Sequence, residues 1–226
     1  MNKTKLRLSL LLLGSLALGS CSKSGGNEFT AEGTITDAAG KTLYLETTDT
    51  DEPQLIDSVT LDEKGRFRFH REAHSYPAFY RLRLGESFIP FAADSLTHLT
   101  LSASGKDLFS TYKIESGDEA NKQIREIGQL RTATDKAIEA ILTQLNNGTL
   151  DRGVALARID SLSTQLKNTL TSKYIFNDPK GAAAYYALFQ SYLGGTYFSI
   201  DHPGDDRAFS AVATAYDAFH PNAPYT

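Results

Sequence analysis

The sequence has one cysteine, one methionine and no tryptophan among its 226 residues. A single cysteine excludes an internal disulfide, a Cys-x-x-Cys redox pair and a multi-thiolate metal site in this stretch of chain. There is no HExxH, GxSxG, Walker loop or GxGxxG, so the sequence carries no local sign of a zinc protease, a nucleophile elbow or a phosphate cradle. The five histidines are His70, His74, His98, His202 and His220. No two of them have the three- or four-residue spacing on a helical stretch that a metal-binding helix needs. No cofactor or metal is therefore expected. Acidic residues outnumber basic ones, 27 to 23. The net charge of −4 includes Lys3, Lys5 and Arg7, and without them it becomes −7. No basic block remains that would suit nucleic acid. Long apolar runs are missing too: the longest, Leu8 to Leu18, has eleven residues, against the roughly twenty a membrane-spanning helix needs.

That short run, preceded by basic residues, reads as a signal peptide over 1–20. Leu18-Gly19-Ser20-Cys21 resembles a bacterial lipobox, with a branched residue, two small residues and then the cysteine that is acylated. Cys21 is thus the expected lipidation site, and the membrane is the expected partner through it. Buried methylenes contribute about 0.8 kcal/mol each, so two or more chains anchor firmly where one does not. Residues 21–27 are small and polar, as a tether would be. No dense acidic run follows Cys21. The expected location is the bacterial cell envelope, facing the periplasm, at the outer membrane.

From 28 to 115 the apolar pattern has a period of two, the mark of strands with one wet face. Residues 55–69, LIDSVTLDEKGRFRF, read as a β-hairpin, with Asp62-Glu63-Lys64-Gly65 as the turn and Gly65 free to take positive φ. Leu108 to Ile114 reads as a last strand. Seven or eight short strands imply an antiparallel β-sandwich or partly open barrel. Arg66, Arg68, Arg81 and Arg83 are expected to form solvated strand faces.

From 116 to 220 the period becomes helical. Ala120, Ile124, Ile127, Ile138, Ile141 and Leu145 mark a first long helix, capped by Ser116 or Asp118 and ended by Asn146-Asn147-Gly148. A second opens at Thr149, with its stripe through Leu156, Ile159, Leu162, Leu166 and Leu170 to Tyr174. Each should be about 40 Å long, forming an antiparallel helical hairpin. Asp178-Pro179 ends it. A third helix over 182–192 is apolar nearly all round, and a fourth runs from Arg207 to Phe219. Residues 221–226 read as a linker or truncated end. The fold class is α+β with segregated halves, a β-domain at 28–115 and a helical connector at 116–220.

Catalytic candidates are thin. His202-Pro203-Gly204-Asp205-Asp206 reads as a turn with a helix cap at Asp205 or Asp206 rather than as an acid/base or metal cluster. Asp94-Ser95 and Asp160-Ser161 match no catalytic motif with a histidine partner. No catalytic, cofactor-binding or metal residue is assigned. A hydrolase would require dispersed Asp, Ser and His to converge in a cleft. A binding protein would show an apolar cleft lined by Tyr185, Tyr186, Phe189 and Tyr192.

Gly33-Thr34-Ile35-Thr36-Asp37, Leu43-Tyr44-Leu45, Ile56-Asp57-Ser58-Val59, Gly65 to Phe69 and Pro77 to Leu82 occur in order. In these motifs the first half resembles domain-of-unknown-function family 4369. That domain stands at the N-terminus of lipid-anchored envelope proteins whose C-terminal part is a thioredoxin-like domain of the TlpA or AhpC/TSA kind. The helical half, closing on Phe219-His220-Pro221-Asn222, resembles the connector before that domain. The resemblance implies an accessory, non-catalytic module that positions a thioredoxin-like thiol-disulfide oxidoreductase domain or supports binding of its client protein. In such relatives the redox pair lies further along, in a Trp-Cys-x-x-Cys-type segment that this sequence lacks, so the chain is either a fragment or a stand-alone version of the accessory region. A stand-alone lipoprotein that binds a peptide or glycan is the other reading.

Overall fold

The computed structural model describes residues 27–48, 52–116, 118–192 and 195–224. Cys21, the segment 1–20 read as a signal peptide and the last two residues lie outside the described residues.

The first half folds as two four-stranded sheets facing each other. The strands are β1 (Glu28–Thr36), β2 (Thr42–Thr47), β3 (Gln54–Thr60), β4 (Arg66–Glu72), β5 (Ala78–Leu84), β6 (Ser87–Ala93), β7 (His98–Ser104) and β8 (Lys113–Ile114). The first sheet has the order β4-β1-β7-β8 and the second β3-β2-β5-β6. The period-two pattern turns one row of each strand inward. Phe29, Ala31, Phe67, Phe69, Leu99 and Leu101 from the first sheet meet Leu43, Leu45, Tyr80, Leu82, Ile89 and Phe91 from the second in one core. The sheets do not close on one another, so the domain is a sandwich and not a barrel. One pairing departs from the antiparallel rule: β1 and β7 run parallel, Thr30 beside His98 through Thr36 beside Ser104.

Two local expectations are corrected. The stretch 55–69 is not a paired hairpin, because β3 joins β2 while β4 joins β1 in the opposite sheet. The turn is a corner between sheets. Asp62 Oδ1 accepts from the Lys64 and Arg66 amides at 2.9 and 2.8 Å, and the Gly65 amide donates to Asp62 O at 2.8 Å. Gly65 then accepts from the Ile35 amide at 2.8 Å. Crossing to the first sheet buries Phe67 and Phe69, whereas β3 remains an edge strand with Leu55 60% exposed. The second correction concerns Leu108–Ile114, which is one helical turn, α1 (Leu108–Thr111), followed by β8. Asp107 caps it by accepting from the Ser110 amide at 3.1 Å. Helical spacing puts Leu108 and Tyr112, four apart, into the core together, and both are fully buried.

The helical half contains α2 (Glu119–Asn146), α3 (Arg152–Leu170), α4 (Ala182–Leu188) and α5 (Asp206–Phe219). The antiparallel hairpin of α2 and α3 is present. Asp118 caps α2, accepting from the Asn121 amide at 3.0 Å. At its far end the Thr149 amide reaches Gln144 O and the Gly148 amide reaches Leu145 O, each at 3.0 Å, with Gly148 at φ 69°. That is a Schellman closure, which needs the left-handed residue that glycine supplies. The second helix begins at Arg152 and not Thr149, because the Asp151 carboxylate captures the Gly153 and Val154 amides at 2.8 and 3.1 Å. A π-helical turn, Thr171–Ile175, extends α3 and delivers Tyr174 and Ile175 to the helical core. The third helix is shorter than its apolar run. It stops at Leu188, and β9 (Ser191–Tyr192) pairs antiparallel with β10 (Gly195–Thr196).

Each half has its own core, joined by a small apolar cluster of Ala92, Ile124 and Ala182. The junction is also polar. Asn121, at 1% exposure, accepts from the Ala92 amide through Oδ1 and donates through Nδ2 to Ala92 O, both at 2.8 Å. A helix side chain thereby stands in for the missing neighbour strand at the edge of β6.

Candidate functional site

Where α4 approaches the second sheet, a cleft of ≈ 860 Å³ opens. Its floor is the outer face of β5 and β6. Alternation on β5 sends Ala78, Tyr80 and Leu82 into the sandwich, which turns Phe79, Arg81 and Arg83 outward. Phe88 and Pro90 do the same on β6. The opposite wall is Tyr185 from α4 and Phe189 just past its end, with Arg131 from α2. Phe79 stacks on Tyr185 with ring centroids 5.2 Å apart, and Tyr185 contacts Phe189 at 4.7 Å. The rings therefore form one continuous wall. Phe189 is nevertheless 53% exposed.

The aromatic helix was expected chiefly as core, and it divides. Ala183, Ala184, Ala187 and Leu188 fill the helical core, while Tyr185, Tyr186 and Phe189 line the cleft. Tyr192, the fourth residue expected there, lies on β9 and lines a different cavity.

The polar part of the floor was not legible in the sequence. Arg66 and Arg68 are exposed strand residues, as expected of a solvated face. Arg81 and Arg83 are not: they flank Glu46, which is 5% exposed. Arg83 Nε and Nη2 lie 2.8 and 2.7 Å from Glu46 Oε1, and Arg81 Nε lies 2.6 Å from Oε2. Arg83 donates besides to Gly85 O at 3.2 Å and stacks over Tyr44, so each of its three nitrogens has a partner. Arg81 lies over the Phe88 ring at 5.1 Å, and its two Nη groups have no acceptor among the described residues. On the other wall, Arg131 Nη1 donates to Asp135 Oδ2 at 2.6 Å, and the Tyr197 hydroxyl donates to Asp135 Oδ1 at 2.7 Å. Burial and that carboxylate raise the Tyr197 pKa, so the hydroxyl stays a donor.

Hydrogen bonding by Arg83 lowers the Glu46 pKa, burial opposes it, and Arg81 adds to the lowering. A carboxylate depressed in the folded state contributes stability above its unfolded pKa, near 4.5 here, and loses it as pH falls through the folded value. The E46Q variant is therefore expected to lose stability at neutral pH and to be less sensitive to acid than the native chain below about pH 4.5. Thermal melts of both proteins across that range check this.

A second cavity, ≈ 520 Å³, lies between α2, α3 and the β9–β10 ribbon, lined in part by Ile138, Asp160, Ser163, Lys167, Tyr192 and His202. Asp, Ser and His do come together here, but no hydrogen bond joins the His202 ring to a serine hydroxyl among the described residues, and His202 Nδ1 is 3.9 Å from Asp205 Oδ2. Asp205 precedes α5, yet its carboxylate does not cap the helix. It takes the Lys167 ammonium at 2.7 Å and the Ser199 amide at 3.0 Å instead. Burial alone would raise its pKa, but those two partners outweigh it and the pKa is lowered. Asp94 ties its own loop through the Leu96 amide and the Thr97 hydroxyl, and the Ser161 hydroxyl accepts from Gln165 Nε2 at 3.4 Å. No group of three His, Cys, Asp or Glu side chains placed to hold a metal occurs among the described residues, and no described helix is long and apolar enough to cross a membrane.

Residues 29–123 match the model of the family described as Domain of unknown function (DUF4369). The match spans all eight sandwich strands and the start of α2, including Asn121. It supports, for that segment, the domain-of-unknown-function family that the strand motifs resemble. No curated protein matches the chain.

Proposed function

We propose that this chain is a non-catalytic, lipid-anchored module of the bacterial cell envelope that holds a client polypeptide for a thioredoxin-like thiol-disulfide oxidoreductase domain. The observation that carries client binding is the ring-lined cleft between β5, β6 and α4. Its volume lies within the roughly 300–1,000 Å³ of ligand sites. That suits a short length of extended chain better than a folded surface. Support for the envelope comes from the leader and Cys21, and support for the redox partner from the resemblance of both halves to the region preceding a thioredoxin-like domain. Acylation of Cys21 would hold the module at the outer membrane, facing the periplasm, and would leave no thiol for electron transfer. The rigid helical hairpin then serves as a spacer.

The purified lipidated chain is expected to show no dithiol-dependent reduction of insulin above the uncatalysed rate. Turnover by this chain alone would refute the non-catalytic reading. Mass spectrometry of the membrane fraction is expected to find Cys21 acylated, and an unmodified soluble chain with a free thiol would refute the anchor.

A further inference from the structure

We infer that the cleft selects extended peptides in which acidic residues stand next to aromatic or large aliphatic ones, with Arg81 as the group that reads the carboxylate. This inference rests on the cleft being the client site. Three observations on the cleft walls carry it.

The first is charge. Two arginines and no Asp or Glu line the cleft among the described residues, on a chain whose net charge is −4. Arg81, Arg83 and Glu46 together carry one more positive charge than negative. Of the three, Arg81 has the most donors left, since its Nε alone is committed to Glu46 and neither Nη has an acceptor among the described residues. A guanidinium whose remaining fork is open and whose plane is fixed by a carboxylate and a ring is preorganised for a second carboxylate. At 22% side-chain exposure it is withdrawn from bulk water, so the contact is screened less than one on the surface.

The second is the apolar lining. Phe88 lies against that guanidinium, and Phe79, Pro90, Tyr185 and Phe189 line the same cleft. A side chain flanking the acidic residue would bury against them. Sugar hydroxyls need acceptors as well as donors, and no carboxylate lines the cleft among the described residues. Those walls therefore fit a peptide better than a glycan.

The third is the state of the neighbouring edge. β6 is the last strand of its sheet, but Pro90 has no N–H and Asn121 occupies both polar groups of Ala92. Strand addition along β6 is blocked there. Recognition has to come from side chains in the cleft.

The test uses the full chain and three synthetic peptides of about ten residues, alternating phenylalanine with aspartate, asparagine or lysine, titrated by calorimetry. The aspartate peptide is expected to bind at least ~10-fold more tightly than the asparagine peptide, as a charge-assisted fork contact warrants, and the lysine peptide least. In R81M, checked for folding by its melting curve, that preference is expected to fall within about 2-fold, and R81K should keep only part of it because the fork is lost. F189S should weaken both the aspartate and asparagine peptides and leave their ratio unchanged. Equal binding of the two with F189S weakening both would overturn acidic selection while leaving the cleft as the client site. Binding insensitive to F189S, or no binding of any peptide at about 1 mM, would overturn both. Displacement of the aspartate peptide by an oligogalacturonate at lower concentration would overturn the peptide assignment.

Discussion

Replacing Asn121 by alanine is expected to destabilise the protein by about 2–5 kcal/mol, because it strands two buried backbone groups at once. The Asn121 amide is the partner of both Ala92 N–H and Ala92 C=O, and it also donates to Asp118 Oδ2 at 2.7 Å. No water replaces a partner that is 1% exposed without opening the junction between sheet and helix. For a chain of this length the melting midpoint should fall by roughly 5–15 °C. Amide exchange gives a sharper reading: the Ala92 amide should lose protection in N121A more than amides in β1 or β7 do. N121D should not rescue the native stability, because its carboxylate would accept from Ala92 N–H but face Ala92 O and Asp118. A loss below about 0.5 kcal/mol, the size of an ordinary surface change, would mean that something else holds the two halves together.

A comparable loss is expected from Gly33→Ala, for a different reason. A Cβ built on Gly33 would lie 1.8 Å from Leu101 O on the parallel neighbour β7. That atom is backbone, so nothing can swing aside. β1 is a central strand between β4 and β7, and moving it breaks two ladders. The cost should be about 3 kcal/mol or more, beyond the usual range for overpacking only if the sheet cannot shift. The midpoint should drop by roughly 6–12 °C. Gly40, where a Cβ meets nothing within 4 Å but φ is 75°, offers the control: G40A carries backbone strain alone and should cost less. Equal losses at the two sites would show that the close approach of β1 and β7 does not matter.

Gly33 also marks how far the sequence can be read. As one residue in an alternating run it signals a strand, but nothing local says that the strand on its far side is β7, or that the pair runs parallel. Those are long-range pairings. The period of two placed Phe67, Phe69, Tyr80 and Leu82 inward correctly because burial depends on neighbours in the same strand. It failed at the β3–β4 corner because Asp62 to Gly65 makes the same turn whether or not the flanking strands pair. In the helical half, Ile124, Ile127, Ile138, Leu166 and Leu170 are buried as their spacing requires, but Leu156 in the same expected stripe is 54% exposed and Ala155 is buried instead; the cap at Asp151 and the end of α4 at Leu188 rest on individual hydrogen bonds. The aromatic part of the cleft was legible as Tyr185, Tyr186 and Phe189. Its polar part was not. Arg81 and Arg83 alternate as any wet strand face does, and only the fold brings Glu46 between them. Asn121 gave no signal either, as one polar residue among several in the first turns of α2.

The most direct test of the cleft as the working surface is amide hydrogen exchange on the full chain, with and without a saturating amount of the aspartate–phenylalanine peptide. Protection should rise in α4, at Phe88 on β6 and in the outward residues of β5, and should stay unchanged at the hairpin tip around Asn147 and across the first sheet. Protection that appears at the tip or along β4 and β1, with α4 unaltered, would contradict the account.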